Sequence, residues 1–323
     1  MGKQPPVWEG GSFTPDGRYY AYVYSVYNVR NYESSGGYTR TSGPTDFFFQ
    51  VIDCATGQKL LQHPIKTRKR MALGDIDNAY VWLTTYVPQD QENGIAVFDL
   101  GKMELTFEDK DIQRLNPNVP LTHLSFFDNR SGRPGAVFEA ADGRNYAVDG
   151  ATGLFTQVEV DPWSRIPSGD ADFYQYISSL DSIRLEGSSR RRLVKMDSTA
   201  RSDEDFISPE FLTLTSKGTS RSEEPLTTYE GSFFILSQAL VNSSVDMILT
   251  CVDQQTLKTR WSRQIPQDYD PDALITASTS NKSRVSLHGD TLLIANQTHL
   301  LKIDPRSGDV IGEYYLLKES QPQ

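Results

Sequence analysis

The sequence predicts an all-β fold, a β-propeller of six four-stranded blades, on three observations. First, six aspartates recur at intervals of 46 to 56 residues, each after a short apolar run and before a turn-like segment: Asp53, Asp99, Asp149, Asp197, Asp253 and Asp304. Second, the chain is 37% hydrophobic with 16 Tyr and 15 Phe, a composition that suits half-buried strands. Third, six periods of about fifty residues fill the chain, so we expect a single propeller domain over 1–323.

The last repeat has the clearest pattern of strands and turns. Short runs rich in β-branched and aromatic residues, bounded by Gly, Asp, Asn and Pro, are typical of strands joined by hairpin turns. This pattern predicts strands at 284–287, 291–295, 299–303 and 310–316. The aspartate turn, at 304–308, therefore joins the third strand of a blade to its fourth.

The other five repeats follow the same pattern more loosely. The predicted strands are 19–26, 47–52 and 59–62 in the first repeat, 79–86, 95–98 and 103–107 in the second, 121–127, 136–139, 146–148 and 154–160 in the third, 173–177, 183–186, 192–196 and 210–215 in the fourth, and 232–237, 247–252 and 257–265 in the fifth. Seven blades are the alternative, because the longest interval, 56 residues, leaves room for a degenerate extra repeat within 198–230.

The six aspartates are interpreted as structural turn residues and not as a metal or acid site. An aspartate at the start of a turn accepts hydrogen bonds from the backbone N–H groups that follow it. Three of the turns end in a glycine (Gly57, Gly153 and Gly308), which supplies the positive φ that such a turn needs.

The turns also carry a resemblance to a known family. The string Asp-x-x-(Thr/Ser)-Gly before a strand occurs at 53–57, 149–153 and 304–308, the last preceded by Gly289-Asp290-Thr291-Leu292. The segment 253–257 is similar, with Leu257 in place of the glycine and Trp261 after it. This pattern resembles the quinoprotein-like (PQQ-like) propeller repeat. Because that superfamily includes dehydrogenases as well as non-catalytic assembly lipoproteins and scaffolds, the resemblance implies a fold and leaves activity open.

The residues favour the non-catalytic branch of the superfamily and no cofactor. A quinone dehydrogenase of this kind carries a Ca²⁺ site, a tryptophan under the cofactor and, typically, adjacent cysteines. Here Cys54 and Cys251 are four repeats apart, and the four tryptophans share no motif. We expect both cysteines to be unpaired thiols, because blades one and five of a ring are too far apart for a disulfide.

Charge and composition exclude further classes. With a net charge of −10, we expect no nucleic-acid partner. The short basic groups Lys66, Arg68, Lys69 and Arg70, and Arg190, Arg191 and Arg192, are interpreted as solvated charge or edge protection. No apolar run approaches the ~20 residues of a transmembrane helix. No metal-ligand spacing and no Gly-x-Ser-x-Gly nucleophile motif occurs, so we predict no metal or catalytic residue.

The segment 27–46 departs most from the repeat. It places twenty residues where two to five would close a hairpin. Its mixture of Tyr and Arg with Gly and Ser is typical of binding loops. We therefore predict that it contacts a protein partner through Tyr27, Arg30, Tyr32, Tyr38 and Arg40. The alternative is an ordinary insertion without function.

Propeller topology places this segment among other long connections. Loops between second and third strands share a face with blade-to-blade connections, so 27–46, 88–94, 239–244 and 66–70 would lie together. The sequence thus favours a non-enzymatic, protein-binding propeller scaffold, in a periplasmic or extracytoplasmic location with a removed leader rather than in the cytoplasm. The alternative is a propeller hydrolase or lyase with carboxylates in the channel, for which the candidates are Asp181, Glu186, Glu230 and Asp290.

Overall fold

The computed structural model describes residues 4–35, 38–87, 92–119, 125–127, 136–140, 142–159, 183–186, 192–195, 228–241, 244–253, 255–256, 258–265, 284–295 and 299–317. The chain forms two compact units, Met1–Asp161 with Tyr315–Gln323, and Pro162–Tyr314. A single domain over 1–323 stays a prediction.

The first unit contains three four-stranded antiparallel sheets and one two-stranded hairpin. The first sheet pairs β1 (Val7–Phe13), β2 (Tyr19–Tyr27), β5 (Thr45–Asp53) and β6 (Ile65–Thr67), and β3 (Asn31–Ser35) and β4 (Tyr38–Ser42) form the hairpin between β2 and β5. The second sheet has β7 (Arg70–Ile76), β8 (Tyr80–Val87), β9 (Glu92–Asp99) and β10 (Glu104–Phe107). A helix, α1 (Asp109–Leu115), leads to the third sheet, β11 (Ser125–Phe127), β12 (Ala136–Glu139), β13 (Asn145–Val148) and β14 (Phe155–Val158).

The described part of the second unit contains two further four-stranded sheets and one strand pair. The pair is β15 (Ile183–Glu186) and β16 (Arg192–Lys195). The four-stranded sheets are β17 (Thr228–Tyr229), β18 (Ser232–Val241), β19 (Ser244–Asp253) and β20 (Thr259–Ile265), and then β21 (Arg284–His288), β22 (Thr291–Ala295), β23 (His299–Ile303) and β24 (Val310–Tyr315).

All five four-stranded sheets follow chain order once the β3–β4 hairpin is set aside. Each is an up-and-down meander, which is how a propeller blade is built. The predicted fold class, an all-β chain of four-stranded propeller blades, is therefore confirmed. The number of blades stays a prediction.

Alternation along the strands lets each sheet pack against its neighbours within a unit. On β8, Val81 and Leu83 enter a core shared with the first sheet, whereas Trp82, between them, enters a core shared with Phe138 of the third sheet. Successive side chains of a strand point to opposite faces, so the second sheet is covered on both sides. In the second unit, the last two sheets share a core that includes Leu249 and Ile294.

The predicted fourth strand of the first sheet, 59–62, is wrong. The fourth strand is β6, which pairs with Phe47–Phe49 of β5, and Lys59 forms only an isolated bridge. The cause is the buried side chain of Gln50. Its amide accepts from the Leu61 N–H at 3.1 Å and donates to the Leu61 carbonyl at 2.9 Å, so a side chain takes the place of a strand partner.

Several elements were not predicted. They are the first strands β1, β7 and β17, the helix α1, and the hairpin β3–β4 inside a segment expected to be a loop. The described residues of the expected loops 88–94 and 239–244 are also strand, because β9 begins at Glu92, β18 ends at Val241 and β19 begins at Ser244. Residues 88–91 and 242–243 lie outside the described part of the chain. Where these three segments are described, most of their residues therefore belong to hairpin strands and not to loops.

Candidate functional site

The candidate site lies at one end of the first unit, where the β2–β5 hairpin meets the connection between the first two sheets. We call it the hairpin rim and define it as residues 27–46, 66–70 and Asp109. It contains two of the four segments that the sequence predicted to lie together. Of the other two, 88–94 belongs to the same unit, whereas 239–244 belongs to the second unit and its place beside the rim stays a prediction.

The β3–β4 hairpin continues the β2–β5 pair through a bulge. Asn28 donates its N–H to the Pro44 carbonyl at 2.9 Å, in register with Tyr27 opposite Thr45. The Arg30 N–H then donates to the Ser42 carbonyl at 2.9 Å. Asn31, the next residue, is also paired with Ser42, so two residues on one strand lie opposite a single residue on the other. The strand that leads from β2 to β3 therefore carries one extra residue, which is a β-bulge. Such bulges bend and twist a strand pair. The hairpin is re-aimed where it leaves the blade.

Gly43 is required at this bulge by a close approach of the two strands. A Cβ at Gly43 would stand 1.8 Å from the carbonyl oxygen of Asn28. No side chain fits in this space, so the bulge depends on glycine at this position.

Asp46 holds the base of the hairpin to the connection between the sheets. It is 8% exposed, and its Oδ2 accepts from Asn28 Nδ2 at 3.0 Å and from Lys66 Nζ at 2.7 Å. Arg68 Nε lies 3.9 Å from Oδ1. The hydrogen bond from Lys66 lowers the pKa of Asp46 despite its burial. The carboxylate is thus ionised and fixed at neutral pH, and it anchors two segments that are distant in sequence.

A second ion pair extends the rim to the start of α1. Lys69 Nζ lies 2.5 Å from Asp109 Oδ2, and the Thr85 hydroxyl donates to the same carboxylate at 3.1–3.2 Å. Gly94 of β9 leaves room for this carboxylate, because a Cβ there would stand 2.1 Å from Asp109 Oδ1. The end of the β8–β9 hairpin, within the predicted segment 88–94, is therefore tied to the rim.

The five predicted contact residues occupy different positions on this hairpin. Tyr27 is half-buried at the end of β2, and Arg30 is exposed at the bulge. Tyr32 lies on β3, and Tyr38 and Arg40 lie on β4. Glu33 is opposite Arg40, and by strand alternation positions 38 and 40 share one face of the hairpin while 32 belongs to the other. The hairpin itself had a detectable signal, since Gly36-Gly37 between β-forming residues favours a two-residue turn.

Five of the six turn aspartates lie in the described part of the chain, and all five accept hydrogen bonds from the residues that follow. Asp53 and Asp149 each bind the N–H and the hydroxyl of the threonine three residues on, at 2.7–2.9 Å. Asp253 does the same with Thr256, Asp99 accepts from the N–H groups of Gly101 and Lys102, and Asp304 accepts from that of Arg306. Asp197 lies outside the described residues.

Electrostatics at these turns favour the ionised carboxylate. The Thr152 hydroxyl lowers the pKa of Asp149, and the Thr256 N–H together with the Arg260 guanidinium lowers that of Asp253 strongly. At Asp99, burial raises the pKa, but hydrogen bonds from Lys102 and Gly101 outweigh it and lower the pKa overall. Met103 occupies the left-handed position of this turn with φ 57°, where other turns have glycine.

Two of the four candidate channel carboxylates belong to one network in the second unit. Arg306 donates to both carboxylate oxygens of Glu230, at 2.6 and 3.2 Å, and lies over the ring of Tyr229. The Tyr229 hydroxyl donates to Asp290 at 3.2 Å. Arg306 lowers the pKa of Glu230. Glu186 ends strand β15, and Asp181 lies outside the described residues.

Both cysteines lie in the described part of the chain. Cys54 and Cys251 are both buried, neither is part of a disulfide, and burial raises the pKa of the Cys251 thiol. Among the described residues, no three His, Cys, Asp or Glu side chains come together in an arrangement that could hold a metal ion. In the same residues, no helix is long and apolar enough to cross a bilayer.

Neither protein-family models nor curated proteins match the sequence. Among solved structures, the chain is similar to the β-propeller domain of the Trilobed protease from Pyrococcus furiosus, at 9% identity and a TM-score of 0.29, covering 98% of this chain and 86% of that one. It is also similar to a prolyl endopeptidase, at 13% identity and a TM-score of 0.31, covering 98% of this chain and 43% of that one. A third similar structure is the Dos1 propeller, at 13% identity and a TM-score of 0.26, covering 98% and 75%. Similarity at this level says nothing about activity, and the fold class rests on the sheets.

Proposed function

We propose that this chain is a non-enzymatic β-propeller scaffold that binds a protein partner through the hairpin rim. The observation that carries the proposal is the β3–β4 hairpin, a separate two-stranded sheet set on a bulge at the end of a blade. The blade does not need it, since β2 and β5 already pair from Tyr19 to Tyr27. Elaborated connections on a regular scaffold are the usual place for binding.

The bracing of the rim supports a binding role over an ordinary insertion. An isolated two-stranded hairpin is marginally stable in water. Here its base is fixed by a buried carboxylate, Asp46, which joins Asn28 to Lys66. A rim ordered before binding loses less conformational entropy when a partner docks.

The finer assignments from the sequence belong to the same proposal. We assign the chain to the non-catalytic branch of the PQQ-like superfamily, with six blades. Asp53 and Asp149 each bind the hydroxyl of a threonine that precedes a glycine of positive φ, and Gly308 has the same backbone conformation. This shared turn geometry supports the repeat assignment.

The alternative, a hydrolase or lyase with channel carboxylates, finds less support in the described residues. A general acid needs a raised pKa. Glu230 instead has a lowered pKa, because it is paired with Arg306, and both Glu230 and Asp290 are exposed. Their network joins the turns of two neighbouring sheets and is better suited to holding those turns together.

A matched cross-linking experiment tests the binding role. A photoreactive amino acid at position 30, exposed at the bulge, is compared with one at Gln58, exposed beyond the Asp53 turn at the other end of the same sheet. We expect a specific protein adduct in an extract of the host from position 30 and not from position 58. Replacing 31–42 with Gly-Ser should abolish the adduct while the protein stays folded. Equal adducts from positions 30 and 58, or an adduct that survives the replacement, would contradict the proposal.

A further inference from the structure

Resting on this proposed function, we infer that the rim binds an extended acidic segment of its partner, which adds a strand to an outer edge of the β3–β4 hairpin. Three properties of the rim carry this inference: the edges of the hairpin, the sign of the local charge, and the position of the exposed arginines at the base.

The hairpin offers strand edges for backbone pairing. β3 and β4 pair with each other over Asn31–Ser35 and Tyr38–Ser42, and neither has another neighbour among the described strands. The outer edge of a strand presents alternate N–H and C=O groups that can pair with another chain. Addition of an extended peptide to such an edge is a recurring way to recognise a partner.

The charge of the rim is opposite to that of the whole chain. The rim contains six basic residues (Arg30, Arg40, Lys66, Arg68, Lys69 and Arg70) and three acidic ones (Glu33, Asp46 and Asp109), while the chain carries −10. The electrostatic potential of a charged surface attracts a partner of opposite charge and orients it on approach. The surface therefore selects an acidic segment.

Within the described side chains, the ion pairs of the rim leave part of this positive charge uncompensated. Lys66 is paired with Asp46, and Lys69 with Asp109. Arg30 and Arg70 are exposed, and the Arg68 side chain is 75% exposed with its Nε 3.9 Å from a carboxylate that already holds Lys66. Arg30 at the bulge and Arg68 beside Asp46 lie at the base of the hairpin. Arg70 follows two residues after Arg68, at the start of β7. We expect these arginines to bind the carboxylates of a strand placed along the edge of the hairpin.

Direct binding of a designed peptide tests this inference. The probe is a fluorescent decapeptide of alternating Glu and Val, and binding is followed by anisotropy with the full chain. We expect the affinity to fall at least about tenfold when every backbone nitrogen of the peptide is methylated, which removes its hydrogen-bond donors. A Lys-Val peptide of the same length should not bind, and added salt should weaken the binding of the Glu-Val peptide.

Two protein variants separate the edge from the charge. Replacing 31–42 with Gly-Ser removes the edges and should abolish binding. The triple variant Arg30→Gln/Arg68→Gln/Arg70→Gln keeps the edges and should weaken binding by about tenfold while reducing its salt dependence. Circular dichroism of each variant checks that the sheets are retained.

The outcomes distinguish this inference from the proposed function. Equal binding of the methylated peptide, or preferred binding of a single-stranded oligonucleotide of the same length, would overturn strand addition. So would dimerisation of the chain through the hairpin, detected by sedimentation and lost on replacing 31–42. If position 30 still cross-links a partner in any of these cases, the rim is a binding surface of another kind; if it does not, both proposals fail.

Discussion

At the scale of single residues, contacts between sheets depend on large side chains that fill the space left by glycine. Trp261, on β20, donates its indole N–H to the Pro305 carbonyl at 3.0 Å and lies against Gly308 in the aspartate turn of the next sheet. Phe107, on β10, lies against Gly153 in the same way. The last strand of one blade thus packs on the aspartate turn of the next, so the turn is also a blade-to-blade contact.

Substitution of Gly308 should separate backbone strain from this contact. Gly308 has φ 76°, and a Cβ there would stand 2.7 Å from Trp261, whereas Gly289 has φ 57° and no atom within 4 Å of the corresponding position. We expect Gly289→Ala to lower the free energy of unfolding by about 1 kcal/mol through the left-handed backbone. Gly308→Ala should cost about 1–3 kcal/mol more, through overpacking. Urea unfolding measures both, and equal losses would show that the Trp261 contact contributes nothing.

Asp46 should make the stability of the rim depend on pH. Because its folded pKa is lowered, its contribution is present above the unfolded pKa of about 3.9 and is lost as the pH falls through the folded pKa. At pH 7, Asp46→Asn should lower the free energy of unfolding by about 1–2 kcal/mol, since a charged hydrogen bond at a mostly buried site is lost.

The pH dependence of Asp46 is isolated by comparing variants. The difference between the parent and Asp46→Asn should begin to shrink as the pH falls below about 4, where the unfolded carboxylate takes up a proton, and should vanish below the lowered pKa of the folded carboxylate. The difference in free energy of unfolding between the parent and Lys66→Met should shrink over the same pH range. The double variant Asp46→Asn/Lys66→Met should lose less free energy of unfolding than the two single variants together. A constant difference down to the acid transition would show that the carboxylate is not held by Lys66.

At the scale of elements, sequence reasoning succeeded where a single local pattern determined the strand. The last sheet was predicted almost strand for strand, because its apolar runs are short and its turns carry Asp, Asn and Gly. The prediction failed where contacts between residues distant in sequence determine the position of a strand. β1 contains Gly10 and Gly11, which weaken any strand pattern, yet Gly11 is needed because a Cβ there would stand 2.2 Å from the Tyr20 hydroxyl. The side chain of Gln50 that displaces a strand at Leu61 has no local signature either.

The same limit applies to the candidate site. The sequence identified segment 27–46 by its length and its Tyr and Arg content, but not its bulge or its anchor. The anchor is Asp46, an unremarkable residue at the end of the segment, and only the fold brings Lys66 within 2.7 Å of it. Charge pairs between segments distant in sequence cannot be inferred from residue spacing, whereas the Gly36-Gly37 turn could have been.

Gly43→Ala tests whether the bulge sets the hairpin. A Cβ 1.8 Å from the Asn28 carbonyl forces the two strands apart, so we expect a loss of about 1–3 kcal/mol in the free energy of unfolding. Amide hydrogen exchange should quicken at β3 and β4 and little elsewhere. Ser42→Ala is the matched control, because its exposed side chain is removed while its carbonyl still accepts from Arg30. Slow exchange retained in the glycine variant would mean that the hairpin forms without this bulge.

At the scale of the whole molecule, the chain returns at its end to the unit in which it began. Residues Tyr315–Gln323 belong to the first compact unit, and the Leu316 carbonyl accepts from the Tyr22 hydroxyl at 2.8 Å. Both residues are buried, and burial raises the pKa of Tyr22, so its hydroxyl stays a donor at any physiological pH. This hydrogen bond joins residues that are 294 positions apart, so we expect the first unit to depend on the segment that contains Leu316.

Removing this contact should therefore destabilise a part of the protein that is remote in sequence. Ending the chain at Tyr315 removes the buried Leu316 side chain, at a cost of about 1.5–3 kcal/mol, and leaves the Tyr22 hydroxyl without its acceptor, at about 1–3 kcal/mol. Tyr22→Phe removes only the hydrogen bond and should cost about 1 kcal/mol. We expect hydrogen exchange of the β1 and β2 amides to quicken strongly in the shortened chain and slightly in Tyr22→Phe. Stopping the chain at Leu317, which keeps both groups, is the control. If the β2 amides exchange as slowly after truncation at Tyr315 as after truncation at Leu317, the C-terminal residues do not hold the first unit together.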